Sequence, residues 1–464
     1  MNRSPVFRAS LSLCLMSAAM IVALALPPAA VLRAEGSAVH GGVVGDGTPA
    51  SCTGSALQAA LAGGGSVTFN CGPGPVTIVS NTYVINTVTE VDGNGLITLD
   101  GENLRQHFLV QPGARLTLRR ITLTRGNFAN GGSIYNQGEV ILANVTFDSN
   151  STSGNGGAIY NAAGGVLVVS QGTFSKNKAP LGVGYGGAIA SLGNITVTGS
   201  VFTQNEARYG GGLFVGGSAR ADVVNTVFST NKAQMFGGGF YMNNDSSVIT
   251  VTHTTFDKNT ATSGAGLGRS GGTLTVQHAS FTDNTAVTQG GALNVSGVGT
   301  PVRVVNTTFS GNVVSDSKGG GIFNNGTLEL VNVTLKNNTN GVFNFGFSET
   351  TLLRNSVLDN PGYLNCDGDG TPVTSGGYNF SNDNSCLLAG LGDQSGLGLD
   401  PKLGPRQISF TAFHLPLAGS PLINAATNCS PFDQRYALRP DACDIGAVEF
   451  GGLLARAHAP ITLK

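Results

Sequence analysis

The stretch GGAIYNAAGGVLVVSQGTFSKN, residues 156–177, carries two signatures that recur along the chain. One is a glycine pair followed by a small residue and an aliphatic one, Gly156-Gly157-Ala158-Ile159; the other is Phe174-x-x-Asn177. Taking Phe174 as an anchor, the same position is filled by Phe147, Phe202, Phe228, Phe256, Phe281, Phe309 and Leu335, with Leu123 and Leu358 continuing it at the ends. Successive anchors lie 23 to 28 residues apart, too short for a βαβ unit and suited to one turn of a solenoid. Five residues before each anchor stands Leu118, Leu142, Val169, Val197, Val223, Val251, Val276, Val304, Leu330 or Leu353. Seven before stands mostly Leu, Val or Ile, from Leu116 to Leu328. Two apolar columns two residues apart mark a strand with one buried face. The glycine signature supplies a third strand with Ile134, Ile159, Ile189, Leu213, Phe240, Leu267, Leu293, Ile322 and Val342 inward.

About ten imperfect repeats with three short strands each describe an all-β, right-handed parallel β-helix, in which each strand pairs with its equivalent about 4.8 Å along the axis. Like residues then stack on like. Three residues before the anchor runs a polar column, Asn144, Asn225, Asn306, Asn332 and Asn355, with His253 and His278 on consecutive rungs. Asn tolerates the left-handed backbone that a sharp bend needs. The Asn of Phe-x-x-Asn is expected to serve a second corner in the same way, and the glycine pairs a third.

Composition agrees with strands and turns and narrows the function. The chain has 464 residues, 69 of them Gly, only 11% charged, no Trp, and a formal net charge of −1. No concentration of Lys and Arg is available to neutralise phosphates, which argues against nucleic acid as a partner. Arg3 and Arg8 followed by the apolar run Leu11–Leu26 and Pro27-Pro28 read as a secretory leader, residues 1–34, cleaved after Ala34, with an uncleaved membrane anchor as the alternative. After cleavage no apolar run of spanning length remains. Beyond Cys14 in the leader, six cysteines remain, and none lies within the repeats. An even number in an exported chain points to disulfides, and neighbour pairing is the expectation among the fifteen possible connectivities: Cys52–Cys71, Cys366–Cys386 and Cys429–Cys443. Their spacings contain no CxxC, so neither a zinc site nor any other cofactor is expected.

The coils are expected to fill residues 35–360. Residues 52–64, with Leu57, Ala60 and Leu61 at helical spacing, suit a short capping helix over the open first rung, and Ser66–Asn70 and Val76–Val79 the first strands. Residues 361–450 are irregular and hold four cysteines, as a disulfide-tied cap or small end module would; residues 451–464 read as a flexible tail.

The alternating GGA(I/L/V) and FxxN motifs over roughly residues 120–345 resemble the passenger repeats of chlamydial polymorphic outer membrane proteins and related adhesin-like bacterial β-helix proteins. Gly376-Gly377-Tyr378-Asn379, Gly419-Ser420-Pro421-Leu422-Ile423-Asn424-Ala425 and Arg439-Pro440-Asp441-Ala442-Cys443-Asp444-Ile445-Gly446-Ala447-Val448-Glu449-Phe450 resemble the choice-of-anchor Q module of bacterial surface and secreted proteins. These resemblances imply an extracellular, secreted or surface-associated protein. Neither a C-terminal autotransporter barrel nor a terminal sorting motif is expected on this reading, a departure from those families.

β-Helices also include pectate lyases and polygalacturonases, so a polysaccharide lyase or glycoside hydrolase is the alternative to a binding role. Fold alone does not transfer activity. Inverting glycosidases need carboxylates about 6.5–9.5 Å apart, which in a solenoid means matching columns on neighbouring rungs. Asp148 and Asp257 share a column but lie four rungs apart, roughly 19 Å; Asp283 is offset by one residue, and Asp222, Asp245 and Asp316 share no column. The expectation is therefore a non-catalytic adhesive or structural protein that binds extracellular glycans or surface proteins. Its candidate ligand-contacting residues are the column after the inward aliphatic, Tyr135, Tyr160, Phe214, Tyr241, Phe323 and Phe343, which points outward; stacked rings that merely brace the ladder or lie under a loop are the plainer reading of the same column. Likewise, His253 and His278 suit metal or a pH response, or simply replace Asn in a structural column. Asp367-Gly368-Asp369-Gly370 suits a Ca²⁺ loop or an ordinary turn.

Overall fold

The computed structural model describes residues 41–297, 300–346 and 350–452. The leader expected at residues 1–34 and nearly all of the expected tail lie outside them. Coil stacks on coil through about 13 turns of a right-handed parallel β-solenoid. Every inter-rung strand pairing is parallel, and the columns read from the repeats lie in register: Phe147 pairs with Phe174, Leu142 with Val169, and Ile159 with both Ile134 and Ile189. The glycine-signature strands form a 12-stranded sheet from Tyr83–Ile85 to Cys366–Gly368, and the two strands on either side of the Asn column share one 26-stranded sheet. In the first rungs those two are one continuous strand, as in Arg115–Thr124.

Hydrophobic stacks fill the interior. The seven rings from Phe147 to Phe309 have no solvent exposure and follow one another at centroid distances between 4.6 and 5.1 Å. Burying each ring contributes about 2–3 kcal/mol, and one continuous apolar core runs from Val44 to Cys386.

The corners follow the expectation in part. Asn144, Asn225, His253, His278, Asn306, Asn332 and Asn355 all take left-handed backbone, with φ between 48° and 56°. At the second corner the expectation needs correction. The left-handed residue is the one before the Asn: Ser149, Lys176, Gln204, Thr230, Lys258 and Asp283. The Asn itself turns inward and is fully buried. Asn177 Nδ2 donates to Phe147 O at 3.0 Å and to Asn205 Oδ1 at 3.0 Å, and the pattern repeats from Asn150 to Asn338. At the third corner Gly156 has φ 68°, and a Cβ on Gly157 would stand 2.0 Å from Gly187 O of the next rung. The pair thus answers two demands, a left-handed turn and a close approach.

A fourth strand was not anticipated. Glu206–Tyr209, Lys232–Phe236, Thr260–Ser263, Thr285–Gln289 and Val313–Val314 form a five-stranded sheet between the second corner and the glycines. Its inward column, five residues after the anchor, is Ala207, Ala233, Ala261, Ala286 and Val314, all buried.

The N-terminal end is capped as expected. A helix, Gly54–Leu61, begins at Thr53, whose Oγ1 accepts from Ala56 N at 3.2 Å, and buries Leu57 and Leu61. All three disulfides have the expected partners: Cys52–Cys71, Cys366–Cys386 and Cys429–Cys443. Residues 361–450 behave as two pieces. Strands up to Gln394–Ser395 continue the coils. The chain then turns back, and the antiparallel hairpin Leu403–Ile408/Ala412–Pro416, with the loops after it, lies along the outer side of the anchor strands of earlier rungs. We call this second piece, residues 403–452, the return arm.

Candidate binding face

The aromatic column does project outward, but most of it is covered. Phe214, Tyr241, Phe323 and Phe343 are at most 6% exposed, which corrects the expectation of an open aromatic stripe. Only Tyr135 and Tyr160, stacked at 5.3 Å, stay half-buried. The cover over Phe214 and Tyr241 is a second aromatic layer, Tyr185, Tyr209 and Phe236, from the fourth strand and the loop aligned with it. Tyr185 and Tyr209 stack at 5.0 Å, and Tyr209 and Phe236 at 6.0 Å. Each of these rings stands immediately before a glycine pair, a signal present in the sequence and missed. Rings stacked on one another use their faces on their neighbours, so the layer offers edges and hydroxyl groups rather than open faces to a ligand.

An open groove of about 680 Å³ runs along the second corner, lined by Ser149, Ser151, Lys176, Lys178, Gln204, Glu206, Thr230 and Lys232 among others. The solenoid places these side chains in two outward columns, two and four residues after the anchors, on consecutive rungs. The left-handed corner lifts the first column clear of the sheet, and the buried Asn between the columns pins both. Glu206 bridges Lys178 at 3.5 Å and Lys232 at 2.9 Å; the Lys232 hydrogen bond is the leading cause that holds its carboxyl below the usual range. Three ammonium groups thus face one carboxylate over three rungs. Elsewhere on the coils charge is largely spent between rungs, as in Arg115–Glu139, Arg119–Glu90 and Arg303–Glu329.

No paired carboxylates open on this groove. Asp148 accepts from Ser149 and Ser175, and Asp257 from Thr282. Asp283 is held by both terminal nitrogens of Arg406, at 2.9 and 2.7 Å, and Asp222 lies 3.5 Å from Arg220. Ser310 Oγ and His414 Nε2, 2.9 Å apart, have the spacing of a nucleophile and its base, but each is only 3% exposed beneath the return arm. Asp367 accepts from Asn340 Nδ2 at 3.1 Å and carries the turn through Gly368. Among the described residues no group of three His, Cys, Asp or Glu side chains is placed to hold a metal ion, and no helix is long and apolar enough to cross a membrane.

Arg269 is a further residue that the sequence did not single out. It is 1% exposed, lies in the interior, and bonds only to backbone carbonyls, those of Gly272, Ser296, Gly297 and Thr300.

One known family agrees with this architecture. A family described as right handed beta helix region matches residues 133–309. The chain is 27% identical over 289 residues to a probable autotransporter, YfaL, of Escherichia coli (strain K12); the match covers 55% of this chain and 22% of that protein. It is 29% identical over 138 residues to the metabotropic glutamate receptor-like protein R of Dictyostelium discoideum, covering 29% of this chain and 8% of that protein. The chain therefore spans less than a quarter of either relative. No solved structure gives a significant match.

Proposed function

We propose that this is an exported β-helix protein, secreted or held at a bacterial cell surface, that works by binding in an adhesive or structural role and has no catalytic centre. Three disulfides suit an oxidising compartment outside the cytosol, and similarity to an autotransporter supports the same location. The choice-of-anchor Q resemblance of residues 361–450 belongs to this proposal as the surface-associating part of the chain.

The observation that carries the binding role is the open groove with Lys176, Lys178 and Lys232 against the single carboxylate of Glu206. Its columns repeat at the rung spacing, about 4.8 Å, so it suits an extended, anionic chain such as an acidic extracellular glycan. Tyr135 and Tyr160 are the aromatic-column members open enough to touch a ligand; Phe214, Tyr241, Phe323 and Phe343 are covered.

A glycan array probed with the mature protein tests this. Binding to acidic glycans is expected, weakening as salt rises and falling at least tenfold in the triple variant Lys176→Ala/Lys178→Ala/Lys232→Ala. Tyr135→Ala with Tyr160→Ala is expected to weaken binding less. Preference for neutral glycans, or capture only of surface proteins on a matched array, contradicts the acidic-glycan assignment. Turnover of any glycan that a single Asp, Arg or Lys substitution abolishes contradicts the binding role altogether.

A further inference from the structure

Three of the four described histidines lie along the contact between the return arm and the side of the solenoid. His253 and His278 stand on consecutive rungs, and Tyr436 of the arm packs against both at a centroid distance of 4.3 Å. His278 Nδ1 lies 2.9 Å from Asp433 O of the arm. His414, on the arm, lies 2.9 Å through Nδ1 from Gly404 O and 2.9 Å through Nε2 from Ser310 Oγ of the solenoid. Facing a carbonyl, Nδ1 of each ring must be the donor. For neutral His414 that leaves Nε2 to accept from the Ser310 hydroxyl. A second proton would turn this acceptor into a donor inside a buried contact.

We propose that protonation of His278 and His414 undocks the return arm, residues 403–452, and so makes it an acid-released clasp on the solenoid.

The charged groups around both rings are already committed. Near His278, the Asp433 carboxylate is held by Arg435 at 3.0 and 2.8 Å and by backbone N–H groups of Arg435, Ala437 and Glu449. Arg439 is paired with Glu449 at 2.9 Å. Near His414, Lys336 is paired with Asp359 and Arg406 with Asp283. No spare carboxylate therefore meets a new imidazolium. Burial pushes both rings down from 6.5 to about 4. A base depressed in the fold supports docking fully above its unfolded value and loses that support as pH falls. The window here is from 6.5 to about 4, and each ring weakens docking on the order of a hundredfold across it. Asp444 and Glu449, pushed up by burial, act in the opposite sense, so the histidine variants decide more than the pH profile alone.

Hydrogen exchange on the full chain, read segment by segment and corrected for the intrinsic pH effect, tests the clasp at pH 7 and 4.5. The expected result is a loss of protection in residues 403–450 of a hundredfold or more. Coils 134–229 should stay protected, and His278→Gln with His414→Gln should flatten the arm's response. If that pair does not fold, His278→Gln and His414→Gln singly should each reduce the response. An arm that stays protected at pH 4.5, coils that open together with it, or an unchanged response in the variants would overturn the proposal.

Discussion

Each Asn of the Phe-x-x-Asn series turns a column of letters into a structural member. Asn231 is fully buried, with Nδ2 donating to Phe202 O at 2.9 Å and to Asn259 Oδ1 at 3.0 Å, while its own Oδ1 accepts from Asn205. Asn231→Ala is expected to cost about 2–4 kcal/mol in denaturant unfolding, because both the carbonyl below and the amide beside it lose partners in a dry interior. Asn231→Asp should cost more, since a carboxylate cannot donate to Phe202 O. The recurrence of this Asn was plain from the sequence; its inward direction was not. A corner needs one left-handed residue, and spacing alone does not say whether the conspicuous Asn or its variable neighbour takes it. Arg269 was hidden for a similar reason, since its column runs Ser191, Val215, Met242, Arg269, Val295 and Asn324, too mixed in character to reveal that it points inward. Its five donor contacts to carbonyls predict that Arg269→Met destabilises by about 3 kcal/mol or more, seen as a lower denaturation midpoint.

Strands and corners were legible because they repeat. The Phe, Leu/Val and Ile columns survive many turns of sequence drift, and period-2 burial fixes which face each strand presents. Phe228→Ala, in the middle of the ring stack, is expected to cost about 3–5 kcal/mol through the cavity it leaves between Phe202 and Phe256, measured by chemical denaturation. Gly157→Val should prevent folding of the coil, as its side chain would meet the next rung's backbone. The fourth strand escaped notice since its inward column is mostly Ala, which is weak as a hydrophobic signal. That omission also left the cover over Phe214 and Tyr241 unassigned: a loop above the rings was the plainer alternative, but no strand was expected there. Tyr185, Tyr209 and Phe236 do so, and the binding face moves to the Lys-lined groove one corner away.

At the scale of the whole chain, the ends carry what the repeats do not predict. Neighbour pairing of the cysteines was legible because each pair closes a short segment, and Cys429–Cys443 ties the arm with a separation of 14 residues. Reducing it is expected to loosen the arm by about 3 kcal/mol, read as lost hydrogen-exchange protection in residues 403–450 with the coils unchanged. The path of the arm was illegible because it has no period, and its contacts, such as Thr308 with Gln434 and Asn306 with Phe432, join residues more than a hundred positions apart. Acid should also loosen the first rungs, outside coils 134–229. His107, fully buried there, is pushed down by burial to about 4, so local protection around Leu99 and Phe108 is expected to fall between pH 6.5 and 4, with His107→Gln reducing that loss in hydrogen exchange.

All of this rests on one coil lying in register on the next, and paired cysteines report that register directly. Val168 and Thr196 face outward on adjacent rungs and pair with each other, and Thr196 pairs in turn with Asp222. Under a redox buffer that leaves the native disulfides intact, Val168→Cys with Thr196→Cys should form a new disulfide readily, and Val168→Cys with Asp222→Cys, two rungs apart, should not. Equal cross-linking in the two variants, or none in the first, would contradict the stacked-coil account.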